Sequence, residues 1–230
     1  MTTCCYLSSP GNQLQAAALD GMPTLISFAL YSAWIDKYVG SFSRILIDSG
    51  AYSELNSGKK IDGDAYKEWQ SRWIGHADAI AGLDDIGGDW RRSMKNYTRF
   101  GGFPTIHDSD PRELLKELIP LARERGKWLG VGLMPPREGK EGFIRWVCDN
   151  VPQDIHLHGW ALRRYAKIRR LDTFDSTNWF RDSFKYNKLY PWMTPAQAVQ
   201  MVVWRYVQEP RTFEKLKSQS GGLGLMKGEV

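Results

Sequence analysis

The feature that most constrains this chain is a rhythm of short apolar runs separated by longer amphipathic segments. The runs lie at Thr3–Leu7, Leu25–Leu30, Arg44–Asp48, Ala79–Asp84, Pro104–His107, Trp128–Leu133, Ile155–His158 and Leu171–Asp175. Most are rich in Ile, Leu, Val or aromatic residues, which favour a pleated, buried backbone. The intervening segments carry helix signals. Asp64 opens one that runs through Tyr66, Trp69 and Trp73, apolar positions three and four apart. Asp110-Pro111 opens another, an Asp cap with proline at the first helical position, with Leu114, Leu115, Leu118 and Leu121 inward and Gly126 at its end. Thr194-Pro195 repeats the device before Val199, Val202, Val203 and Tyr206.

Eight strand candidates alternating with eight helical ones predict parallel βα units. Eight is the number that closes a barrel, and 230 residues is near the lower end of its size range. The expected fold is therefore α/β, a (β/α)8 TIM-type barrel in one compact domain over residues 1–230. An open doubly wound sheet would need a different tally of strands.

Composition narrows the class further. At 42% hydrophobic and 25% charged, the chain is neither disordered nor fibrous. Its longest apolar runs are too short to span a bilayer, and its start lacks a secretory pattern, so no membrane partner is expected. Cys4 and Cys5 are adjacent and Cys148 is distant, which predicts no disulfide framework, no Cys-rich zinc site and a reducing, cytoplasmic setting. Charge is unevenly placed. Residues 1–160 hold 18 Lys/Arg against 20 Asp/Glu, whereas residues 161–230 hold 13 against 6. That excess predicts a polyanion-binding surface or, more plainly, a solvated basic helix.

In a barrel of this kind the site lies at the C-terminal ends of the strands, so the polar residues ending the runs are the candidates. They are Ser8, Asp48, Asp84, Asp85, His107, Gly132, His158 and Asp175. A carboxylate ending a buried strand is costly unless it caps a helix or is used. Asp172 and Asp175 are three apart, so strand alternation sends them to opposite faces, and Asp175 lies nearer the strand's end. His156 and His158 share one face, an arrangement open to metal binding, packing or positioning.

Two elements reach a known family. The segment Asp48-Ser49-Gly50-Ala51-Tyr52-Ser53 resembles the Asp-Ser-Gly-Gly-Phe-Gln motif of the tRNA-guanine transglycosylases. The segment Phe174-Asp175-Ser176 resembles their Phe-Asp-Cys motif, with a Gly-rich strand and then a His/Gly-rich strand between the two in the same order. The resemblance covers roughly residues 44–179. This chain departs from the family in being shorter and in having no cysteine after Cys148, so the zinc site is missing. It looks more like the compact, often phage-encoded relatives that insert 7-deazaguanine bases into DNA.

The resemblance implies a (β/α)8 barrel, base exchange through a covalent intermediate, and no redox cofactor, ATP or metal. Asp175 would attack C1′ of a guanosine, and Asp48 would move the proton to and from the base. Asp84 would recognise the purine edge, with Asp85 the runner-up. His107 stands where the family has a base-contacting Gln, Gly130 and Gly132 would line the floor, and Tyr52 would stack on the base. Ser49 and His158 complete the expected substrate set. The partners would be nucleic acid, DNA favoured over tRNA, and a 7-deazaguanine such as a preQ0-type nucleobase, with a second copy or separate subunit left open. Arg163, Arg164, Lys167, Arg169, Arg170, Trp179, Arg181, Lys185 and Lys188 would contact the polymer, mixing phosphate neutralisation with stacking on a base that is unpaired or flipped out. The alternatives are a tRNA exchanger without the zinc site, a non-catalytic nucleic-acid-binding barrel, and a metal-dependent hydrolase using His156, His158 and a carboxylate.

Overall fold

The computed structural model describes residues 4–165, 168 and 170–208. Among these residues eight strands form: β1 (Cys4–Ser8), β2 (Pro23–Ser27), β3 (Arg44–Asp48), β4 (Ala79–Ile80), β5 (Thr105–His107), β6 (Trp128–Gly132), β7 (His156–Gly159) and β8 (Thr173–Ser176). All pairings are parallel, in the order β4-β3-β2-β1-β8-β7-β6-β5. The sheet curls into a TIM-like (β/α)8 arrangement. Its two edges meet at one parallel bridge between Ala81 and Phe103, where Phe103 N–H donates to Ile80 O and Gly82 N–H to Phe103 O, each at 2.8 Å.

Every predicted run holds a strand, with two contractions. The tail of the second run, Phe28–Leu30, turns into a 3-10 helix, and the fourth run keeps only Ala79–Ile80 as strand. Among the described residues there are also eight α-helices: α1 (Gln13–Ala18), α2 (Ala51–Ser57), α3 (Gly63–Ser71), α4 (Trp90–Phe100), α5 (Leu115–Glu124), α6 (Glu141–Asn150), α7 (Asn178–Leu189) and α8 (Pro195–Gln208). They are not distributed one per strand. Two follow β3 and two follow β8, while β2–β3 is joined through short 3-10 turns and the described part of β7–β8 holds one more.

Two helix starts differ from expectation. Asp62, not Asp64, caps α3, its carboxylate accepting the Asp64 and Ala65 N–H groups. At Asp110-Pro111 the chain first makes a 3-10 turn over Arg112–Leu114, and the Asp110 side chain turns back toward β5. The Thr194 cap matches: Gln197 N–H donates to its hydroxyl at 3.3 Å and Gln197 Oε1 accepts the Thr194 N–H at 2.9 Å.

Strand alternation divides the apolar residues into two sets. Outward positions such as Leu7, Ile26, Ile47, Ile106, Val131, Leu157 and Phe174 pack under the helices. Inward positions Tyr6, Leu25, Leu46, Ala81, Phe103 and Trp128 fill the interior as a separate cluster, with Trp160 against it. Phe103 and Trp160 stack at 5.9 Å and Trp128 stacks on His156 at 3.8 Å, so the interior is plugged rather than open. The same parity carries the site. Asp48 lies two residues beyond Leu46, Asp175 two beyond Thr173, and His107 two beyond Thr105, all pointing inward above the plug.

Candidate active site

A cavity of about 180 Å³ opens above the plug at the C-terminal ends of the strands, and Asp48, Asp84, His107, Gly132 and Asp175 line it. Its size suits one small ring system better than an extended ligand. The three carboxylates arrive from β3, from the segment after β4, and from β8.

Asp175 is buried and held at both oxygens. Oδ1 accepts the Ala161 N–H at 2.6 Å and Oδ2 accepts the Ser8 hydroxyl at 3.0 Å. Ala161 adopts φ 52°, a left-handed conformation unusual for a residue with a Cβ. That strain aims its N–H at the carboxylate.

Asp48 ends β3 where Gly50 turns the chain at φ 83°. A Cβ on Gly50 would lie 2.3 Å from Ala29 Cβ, so only glycine fits. Burial pushes the Asp48 carboxyl up to about 7; the Gly50 N–H opposes this, and the Asp84 and Asp175 charges add to it. The group is therefore poised to take and return a proton near neutrality.

Asp84 is oriented through His107. His107 Nε2 lies 3.2 Å from Asp84 Oδ2 and Nδ1 lies 3.6 Å from Asp110 Oδ2. The same Asp110 oxygen accepts the His107 backbone N–H at 2.8 Å. Burial works against a charge on this imidazole, but the Asp110 and Asp84 carboxylates outweigh it and hold His107 up to about 10. An imidazolium thus sits between two acids, with both ring N–H groups directed at carboxylates. His107 serves Asp84 instead of presenting a free donor to the cavity. Gly132 makes room for it, since a Cβ there would lie 2.4 Å from His107 Cδ2.

Other predicted residues are placed elsewhere. Asp85 pairs with Arg92 at 3.0 Å and lines a neighbouring cleft, not this cavity. Ser49 is fully buried, its hydroxyl accepting the Ala51 N–H at the start of α2. Gly130 lies beneath the floor, where a Cβ would come 2.4 Å from both Thr105 Oγ1 and Trp160 Nε1, groups joined by a 3.0 Å hydrogen bond. His158 is also below the cavity, fully buried, with Nε2 3.6 Å from Asp175 Oδ1 and Nδ1 2.8 Å from the Thr173 hydroxyl. His156 uses that same hydroxyl at 2.9 Å. Among the described residues, no three His, Cys, Asp or Glu side chains are grouped to hold a metal ion. Tyr52 does reach the mouth, with the Arg137 guanidinium 5.2 Å from its ring centre.

The basic and aromatic set divides in the same way. Trp179 is fully buried, with Nε1 donating to Ser8 O at 3.2 Å, so it is core and not a stacking platform. Arg170 is spent on Asp172, Pro152 O and Ile155 O at 2.6–2.9 Å, bracing the lower end of β8. Arg163 packs over the Tyr206 ring at 3.9 Å and Arg164 pairs with Glu138 at 2.8 Å. Lys185 pairs with Asp182 at 3.4 Å, while Arg181 binds the Asn178 side chain. Arg181, Lys185 and Lys188 are exposed on α7, beside exposed Phe184, Tyr190 and Trp192. Lys167 and Arg169 lie outside the described residues.

Sequence reasoning missed four contributors: Ser8 as the Asp175 partner, Ala161, Asp110 and Arg137. Asp110 was readable only as a helix cap, because Asp-Pro is the usual cap pattern. Its spacing three residues after His107 was the available signal.

Comparison with known proteins establishes the fold alone. No protein-family profile matches the chain, and no curated protein matches it in sequence. Among solved structures it is similar to the YdjI aldolase from Escherichia coli K12, at a TM-score of 0.50 and 13% identity, over 94% of this chain and 90% of that one. Among the described residues, no helix is long and apolar enough to cross a membrane.

Proposed function

We propose that the chain is an enzyme, a base-exchanging transglycosylase on a closed (β/α)8 barrel. It replaces guanine in nucleic acid, DNA in preference to tRNA, with a 7-deazaguanine base. The observation that carries this reading is the convergence of Asp48, Asp84 and Asp175 on one small cavity in three different electrostatic settings. Asp48 is pushed toward neutrality by burial, Asp84 faces an imidazolium, and Asp175 is oriented by two fixed donors. Acids driven apart in this way take separate roles.

In the proposed cycle a carboxylate oxygen of Asp175 attacks C1′ and the bond from C1′ to the guanine N9 breaks. Asp48, protonated at the outset, gives its proton to the departing guanine. The incoming base then loses a proton to Asp48 and its nitrogen attacks C1′, releasing Asp175. Asp84 accepts hydrogen bonds from the purine N1–H and exocyclic amine throughout. This is the retaining two-carboxylate scheme with a heterocycle in place of water. Trapping tests it. Wild type denatured after incubation with labelled guanine-containing DNA, without incoming base, should carry covalent label, and Asp175→Ala should carry none. Equal label on both proteins would refute the assignment.

A further inference from the structure

Two cations line the cavity, His107 and Arg137. The charge on His107 is committed to Asp84 and Asp110. Arg137 differs. Its guanidinium lies over the Tyr52 ring, and no carboxylate pairs with it among the described residues.

The segment that carries Arg137, between β6 and α6, is fixed at several points. Met134 N–H donates to Asp108 Oδ1 at 2.6 Å, and Lys140 Nζ reaches Met134 O at 2.6 Å and also pairs with Asp108. The Tyr165 hydroxyl donates to Arg137 O at 2.6 Å, and Glu138 pairs with Arg164. A merely solvated arginine needs none of this bracing. Here the backbone is pinned while Arg137, half-buried as a residue, lines the cavity.

The floor of the cavity fixes what such a cation can meet. The floor is made of three acidic side chains and, even with Asp48 protonated, an anionic group is disfavoured there and a neutral ring is admitted. A ligand that carries both must put the ring down and the anion at the mouth. We propose that Arg137 forms a phosphate subsite there, holding the phosphodiester beside the nucleotide whose base enters among Asp48, Asp84 and Asp175. The planar fork of arginine suits two phosphate oxygens, and the Tyr52 face fixes the plane of that fork. This subsite rests on the exchange reading proposed above and deepens it: the site selects a nucleotide within a polymer, not a free base or nucleoside.

The test compares wild type, Arg137→Gln and Arg137→Lys. Binding of a guanine-containing single-stranded deoxyoligonucleotide is measured across a salt series, and binding of free guanine separately. Arg137→Gln should weaken oligonucleotide binding about tenfold and reduce the slope of log K against log salt by about 0.7, the loss of one phosphate contact. Guanine binding should be unchanged, and Arg137→Lys should recover part of the loss. Equal affinity and equal salt slope in wild type and Arg137→Gln would overturn the subsite, as would a wild type that does not bind the oligonucleotide. The two readings fail separately. Arg137-dependent binding without base exchange refutes only the chemistry, and exchange that is indifferent to Arg137→Gln refutes only the subsite.

Discussion

Asp48→Asn is expected to make the protein more stable above neutral pH while abolishing base exchange. The Asp48 carboxyl moves from 3.8 to about 7 in the fold, chiefly through burial. Each pKa unit corresponds to about 1.4 kcal/mol, so complete ionisation costs the fold up to about 4 kcal/mol. The sign follows from proton counting. Between pH 4 and 7 the folded state binds the proton that the unfolded chain has lost, so this group lowers stability as pH rises through that window. Above about pH 7 the cost is constant. Asparagine keeps the shape and can accept the Gly50 N–H, but it carries no charge. The variant should gain about 2–4 kcal/mol at pH 8, some 5–15 °C in Tm for a domain of this size, and under about 1 kcal/mol at pH 4. Urea and thermal unfolding of both proteins at the two pH values measure this. A gain that is the same at pH 4 and pH 8, or a variant less stable than wild type at pH 8, would refute the assignment of Asp48 as a carboxyl strained by its burial.

Other outcomes follow from the same geometry. His107→Gln removes the cation between Asp84 and Asp110 and should cost about 3–5 kcal/mol at pH 6. Because His107 is held up to about 10 against an ordinary 6.5, its contribution is complete below about pH 6.5 and is lost as pH rises through 10. The gap between the two proteins should therefore narrow in urea unfolding at pH 10, and a gap independent of pH would contradict the imidazolium. Gly132→Ala places a Cβ 2.4 Å from the His107 ring, which should cost about 1–3 kcal/mol and displace the ring from Asp84. A crystal structure of that variant with the His107–Asp84 contact intact would contradict the packing argument.

The strands were legible because each apolar run is local, and most end in or just before a polar residue. Alternation put Asp172 and Asp175 on opposite faces and the strand's C-terminal end favoured Asp175; Asp175 lines the cavity, while Asp172 accepts from Arg170 and the Leu157 N–H outside it. What one strand's pattern could not contain was the neighbour across the sheet. Gly130 and Gly132 read alike, yet one faces Trp160 and the other His107. Asp84 and Asp85 are adjacent, and Arg92, a turn into α4, draws Asp85 aside. Trp179 read as a surface aromatic in a basic region, but at the start of α7 it is packed into the core, with Nε1 donating to Ser8 O. Arg137 followed no motif, because its meaning comes from the Tyr52 ring brought to it from another βα segment.

The central claim is that Asp175 carries the sugar during base exchange in DNA. Labelled guanine and labelled 7-deazaguanine bases should be offered with DNA and with tRNA separately, to wild type and to Asp175→Ala. The account predicts label in DNA with wild type alone. Label in neither polymer, or label in DNA that persists with Asp175→Ala, would contradict it.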